Sequence, residues 1–123
     1  MKIKIFFGSQ EIETDLENTK TTKEIYKSLP LDGAASRWGD EVYFAIPIQI
    51  DPEKGATDAV EKGDIAYWPQ GSSFCIFFGN TPASTHNQIR AASKVNIIGK
   101  IKAKDIPLLH KIKDGDLVIV EQA

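Results

Sequence analysis

Few side chains in this sequence are equipped for chemistry, and they are scattered. Cys75 is the single cysteine and His86 and His110 are the only histidines. No Cys-x-x-Cys or His-x-x-x-His spacing occurs, so no metal site is expected. Cys75 lies between Phe74 and Ile76 in an apolar run, which predicts an inert structural thiol rather than a nucleophile. Ser-His-Asp and Cys-His sets assemble from distant positions, and nothing in the sequence points to one. Asp40 and Glu41 are neighbours and diverge to opposite faces of a strand, which argues against paired acid–base work there. No glycine-rich phosphate cradle is visible and no cofactor is implied. What remains is aromatic. Tyr43, Tyr67, Trp68, Phe74 and Phe77 either line a groove for a flat or proline-like ligand or fill a core. For Phe74 the core is the better expectation. Tyr67 and Trp68 precede Pro69-Gln70-Gly71, where a strand is ending, and indole and phenol groups often sit at half-wet surfaces. Arg90 and Asn87, in a long irregular segment, are candidates for the groove's edge.

These side chains must be positioned by strands. Lys2–Phe7 and Gln10–Leu16 read as a hairpin closed by Gly8-Ser9. That loop pairs Lys4 with Glu13, Lys2 with Asp15 and Ile5 with Ile12, with charges on one face and apolar groups on the other. Thr21-Thr22-Lys23-Glu24 resembles a capping box with Thr21 as N-cap, starting a short helix that Pro30 stops. Glu41–Ile50 alternates as a strand, and Pro47 implies a free edge or a bulge there. Asp51–Gly63 reads as a loop with one helical turn around Thr57–Val60. Asp64–Pro69 and Ser73–Phe78 are strands, the second apolar on both faces and therefore covered on both. Gly79–Lys94 is irregular and longer than most connections, so it is expected to border the site. Val95–Lys102 is a strand, Asp105–Lys111 a short helix with Pro107 in its first turn, and Leu117–Glu121 the last strand. About seven short strands without βαβ alternation call for a barrel or sandwich, with Trp38 packed against one end and Glu41 binding backbone amides.

Composition agrees. Length 123 fits one domain spanning residues 1–123, and 41% hydrophobic with 26% charged residues is an ordinary globular balance. Net charge is -2, and Arg37 and Arg90 are the only arginines among 15 basic residues, so nucleic acid is not an expected partner. The N-terminus lacks the apolar run of a signal peptide and no segment reaches the ~20 apolar residues of a membrane helix, so no membrane is expected and cytoplasm is the default.

The block Gly63–Pro82 (Gly-Asp-Ile-Ala-Tyr-Trp-Pro-Gln-Gly-Ser-Ser-Phe-Cys-Ile-Phe-Phe-Gly-Asn-Thr-Pro), with Trp38–Phe44 and Val95–Ile101, resembles a small prokaryotic family of cyclophilin-like proteins of unestablished role. The resemblance implies a mainly β fold: a closed cyclophilin-like β-barrel with two short capping helices. Similarity to the cyclophilin peptidyl-prolyl isomerases is fainter. In that alignment their catalytic arginine falls opposite Ala45, and Gln49 lies near one of their glutamines. Their arginine is implied to stabilise the twisted prolyl nitrogen against an amide barrier of ~18–20 kcal/mol, and a methyl group donates nothing. The expectation is a non-catalytic module that binds a small molecule or proline-containing peptide between Glu41–Ile50 and Gly79–Lys94. Tyr43, Tyr67, Trp68, Phe77, Asn87 and Arg90 are its candidate contacts. The alternatives are a divergent isomerase using Arg90 with Gln49, or a non-catalytic subunit of a larger assembly. An edge near Pro47 would permit a homodimer.

Overall fold

In the computed structural model, which describes residues 1–123, strands β1 (Lys2–Phe7) and β2 (Gln10–Asp15) form the expected hairpin. Its register pairs Lys4 with Glu13, Lys2 with Asp15 and Ile5 with Ile12. Gly8 takes φ +55, the backbone a two-residue loop demands. The ion pairs form on the diagonal, Lys2 with Glu13 at 3.5 Å and Lys4 with Glu11 at 3.1 Å. Long lysine side chains reach past the residue opposite to the next one on the same face.

The remaining elements are α1 (Lys20–Lys27), β3 (Leu31–Ala34), β4 (Ser36–Arg37), β5 (Glu41–Ala45), β6 (Thr57–Val60), β7 (Asp64–Trp68), β8 (Ser73–Phe77), β9 (Ile89–Lys100), α2 (Ile106–Leu109) and β10 (Leu117–Gln122). They form two sheets, ordered β2-β1-β10-β3 and β4-β5-β8-β7-β9-β6. Neither sheet closes, so the closed barrel expected from sequence is corrected to two open sheets facing one core. The sheets touch where a barrel would be sealed, without a ladder. On one side a lone bridge joins Leu16 to Gly99. On the other, Gly33 of β3 packs so closely on Phe44 of β5 that a Cβ there would lie 2.8 Å from the ring. Ile3, Ile5, Phe7, Val118 and Val120 from the first sheet meet Val42, Phe44, Ile65, Tyr67, Phe74 and Ile76 from the second. Each such side chain, fully buried, contributes about 1.5–3 kcal/mol.

Both helices differ from expectation in extent. Thr19, not Thr21, caps α1, its Oγ1 accepting from the Thr22 amide at 3.0 Å. Thr21 is buried and bonded elsewhere, and Glu24 pairs forward with Lys27 at 3.1 Å instead of reaching back. α2 is a single turn, preceded by a 3-10 turn at Ala103–Asp105. No helix is long and apolar enough to cross a membrane.

Three strand boundaries also move. β5 stops at Ala45; the Ile46 amide still donates to Ser72 O at 2.9 Å, and Pro47 then ends the ladder. β4 covers the outer side of β5 only at Val42 and Tyr43, so next to Pro47 that side carries no strand partner. Thr57–Val60 is not a helical turn but strand β6, paired with β9. β9 starts at Ile89, which shortens the irregular segment to 79–88. β8 is buried at every position, as a strand apolar on both faces requires.

Candidate functional site

Strand register builds an aromatic face on the outer side of the second sheet. Val42 and Phe44 of β5 point into the main core, so Glu41, Tyr43 and Ala45 point outward. They lie opposite Phe77, Cys75 and Ser73 of β8. Beyond β8, Ala66 pairs with Cys75 and Trp68 with Ser73. Before β5, Trp38 and Glu41 exchange both backbone hydrogen bonds, at 2.9 and 3.2 Å, which sets the Trp38 side chain on the same face as Glu41.

Part of this face is roofed. The first half of β9 and strand β6 fold over it, and Val60, Ala91 and Val95 enclose Ala66, Cys75 and Phe77 in a second small core. Tyr43 and Trp68 pack at its margin and stay half-buried. Trp68 is held from three directions. Its Nε1–H donates to Ser93 Oγ at 2.6 Å, and Tyr43 meets it edge-on with centroids 6.1 Å apart. Its ring lies on Gly71, where a Cβ would sit 2.2 Å from the indole. The result is a rigid, half-open aromatic shelf, with exposed Ala45 at one end and Glu41 at the other.

Glu41 is the shelf's unusual group. It is 5% exposed, and burial pushes its carboxyl up to about 7, with the Cys75 thiol pulling slightly the other way. No backbone amide hydrogen-bonds its side chain, which corrects the expectation that it binds them. Burial first, and then the Glu41 charge, hold the Cys75 thiol well above its ordinary range. Such a thiol is inert. Asp40 diverges as expected, pairing with Arg37 at 3.1 Å.

Of the residues singled out from sequence, the structure brings Tyr43 and Trp68 together. Tyr67 faces the other way and is fully buried, so it is no groove residue. Its hydroxyl donates to Ile48 O at 2.6 Å and accepts from the Ile50 amide at 3.1 Å, strapping the segment after β5 to the core. Phe77 shares the shelf's face but is sealed inside the second core, and offers a ligand nothing. Arg90 is turned away: Ile89 and Ala91 point into the second core, and its guanidinium pairs outward with Asp58 at 2.9 Å. Asn87 is exposed in a turn closed by Thr85 and Gln88. Gln49 lies on the wall of a separate cleft of about 1020 Å³, beside Lys20, Glu24, Asp51, Glu53 and Lys54. Arg90 lines no part of that cleft, so the pair invoked for an isomerase is not assembled. Glu41 and Trp38 are the shelf residues the sequence did not reveal as such. The available signal was a carboxyl two positions before Tyr43, entering a strand otherwise apolar on both faces.

Comparison with known proteins agrees with this architecture. The family model described as cyclophilin-like matches residues 1–121. The solution structure of the hypothetical protein AF2241 from Archaeoglobus fulgidus superposes with TM-score 0.80 at 39% identity, over 100% of this chain and 95% of that one. The structure of McbB in complex with tryptophan superposes with TM-score 0.69 at 13% identity, over 98% of this chain and 44% of that one, a likeness of fold alone. None of the curated proteins matches. With the match running from the first strand to the last, this chain belongs to the cyclophilin-like family.

Proposed function

We propose that this domain is a non-catalytic binding module that holds a small molecule or a proline-containing peptide by a flat ring laid on the Tyr43–Trp68 shelf. The observation that carries the proposal is the fixed, half-buried Tyr43–Trp68 pair ending at the bare methyl of Ala45. An aromatic surface held this firmly loses little freedom when a ring stacks on it, and such contacts contribute about 0.5–1.5 kcal/mol beyond the area they bury. Support for the absence of catalysis comes from charge placement. The guanidinium an isomerase would need is not beside Ala45, since Arg90 is held by Asp58 on the far strand pair. McbB, similar in fold over 44% of its chain, is solved in complex with tryptophan, a ligand that carries a flat ring.

A protease-coupled assay on a short X-Pro peptide tests the catalytic half of the proposal. No acceleration over the uncatalysed rate is expected, with or without Arg90→Ala. Rapid turnover that vanishes on Arg90→Ala would replace this reading with a divergent isomerase.

A further inference from the structure

Glu41 is nine-tenths buried on the aromatic face, yet no cation or amide answers it. Its neighbours are all otherwise engaged. Arg37 donates to Ile112 O, Gly39 O and Asp40. Asp64, at the start of β7, accepts from the Glu61 amide at 2.8 Å and lies 3.7 Å from Lys100. The Cys75 thiol faces Glu41 from β8, but a thiol is a weak donor and Ser73 O competes for its proton at 3.7 Å. No side-chain oxygen in the structure is both sealed from solvent and unpartnered, so the Glu41 carboxyl keeps a trace of solvent contact. An ionised carboxylate in such a place is costly until a positive group completes it. On its face Glu41 has Phe77 directly opposite on β8, Trp38 across the turn and Tyr43 two positions on, with Trp68 beyond, the ring types whose faces attract cations.

We infer that the shelf's ligand is an organic ammonium: a protonated amine carried on a flat ring, its N–H groups donating to the Glu41 carboxylate while the ring lies against Tyr43 and Trp68. This rests on the shelf being the binding site and adds the ligand's charge. A neutral ring of the same shape would gain the stacking but leave the carboxyl unanswered. An anionic ligand would be repelled.

A proton balance follows. In the empty site the Glu41 carboxyl titrates at about 7, so near neutrality about half of the molecules hold a proton there. The arriving ammonium keeps its own protons, the carboxyl ionises to meet it, and the displaced proton leaves to solvent. No other group facing Glu41 takes up that role. Cys75 stays a thiol, Asp64 is held by Lys100 and Asp40 by Arg37. Of the basic residues on the roofing half of β9, Arg90 is paired with Asp58 and Lys94 is exposed.

Benzylamine, a cation near neutrality, and benzyl alcohol, a neutral molecule of nearly equal shape, test this. Affinity is read from the indole and amide resonances of ¹⁵N-labelled protein, and proton release from calorimetry in two buffers of different ionisation enthalpy. Benzylamine is expected to bind at least about tenfold tighter than benzyl alcohol at pH 8 and to weaken about tenfold between pH 8 and pH 6, because only the ionised carboxyl pairs with it. Glu41→Gln, of the same shape, is expected to abolish both differences and leave benzyl alcohol unaffected. The wild-type pH series stands without the variant. Equal affinities with shelf resonances moving would overturn the ammonium and leave the shelf. If neither probe moves Tyr43 or Trp68 at millimolar concentration, the shelf itself is wrong.

Discussion

Gly71→Ala is the sharpest probe of how the shelf is held. The backbone tolerates alanine at this position, since no left-handed φ is involved, but the added methyl would lie 2.2 Å from the Trp68 ring. That is about 1.2 Å inside the shortest ordinary contact, so the indole must slide away. Sliding breaks the Nε1–H bond to Ser93 Oγ, worth about 1 kcal/mol, and the edge-on contact with Tyr43, worth about 0.5–1.5 kcal/mol. The sum is a loss of about 2 kcal/mol. For a chain of this length, unfolding entropy of about 2.1 cal/mol/K per residue converts this to a Tm drop of about 8 °C. Urea unfolding should show a lower midpoint with unchanged slope, and the Trp68 indole N–H resonance should shift toward a solvent-exposed value. Ser93→Ala separates the two contributions, removing the hydrogen bond alone at about 1 kcal/mol with the ring in place. A Gly71→Ala protein that melts within about 1 °C of wild type with its Trp68 resonance unmoved would refute the packing described here.

Tyr67→Phe removes the hydroxyl that joins Ile48 O and the Ile50 amide and should cost about 1–3 kcal/mol in chemical unfolding, while leaving ring binding on the opposite face intact. Arg90→Ala loses only a half-exposed ion pair with Asp58 and should change stability by less than about 1 kcal/mol. The pH dependence of stability carries the mark of Glu41. Its folded pKa, about 7, lies above the ordinary 4.5, so the unfolded chain gives up the proton more readily. Below pH 4.5 both states are neutral there and nothing is lost; as pH rises from about 4.5 to 7 wild type should lose up to about 3 kcal/mol relative to Glu41→Gln, and no more above 7. A flat difference across that window in urea midpoints would contradict the burial assigned to Glu41.

The hairpin of β1 and β2 was legible because its charges and apolar groups alternate with period two around a glycine-led loop, so one register satisfies both faces. β8 was legible for the opposite reason, a run apolar on both faces. Ile48 and Ile50 misled: they continue the alternation of β5 and do pack on the core, but the Tyr67 hydroxyl holds them there after Pro47 has ended the ladder. β3, with Gly33 and an exposed Asp32, has no pattern of its own and exists because β10 pairs with it. β6 exists because β9 arches over to meet it, a pairing between distant segments that local composition does not encode. The same limit applied to the site. Tyr43 and Trp68 could be nominated from strand position, whereas the burial of Tyr67 and the isolation of Glu41 depend on which strands lie side by side and which face each presents.

Glu41's place on the shelf also bears on why such a costly group persists. A carboxyl held without a strong partner lowers stability, and folds tolerate that cost mainly at functional sites.

The central claim is that ligands meet this domain on the outer face of its second sheet, at Tyr43 and Trp68. The direct test is to titrate ¹⁵N-labelled protein with small ring compounds and map the shifted resonances. Shifts concentrated at Trp68, Tyr43 and Ser93, larger at the Trp68 indole than at that of Trp38, are the predicted result. Shifts concentrated instead around Gln49, Lys20 and Lys54, in the polar cleft beside α1, would contradict it.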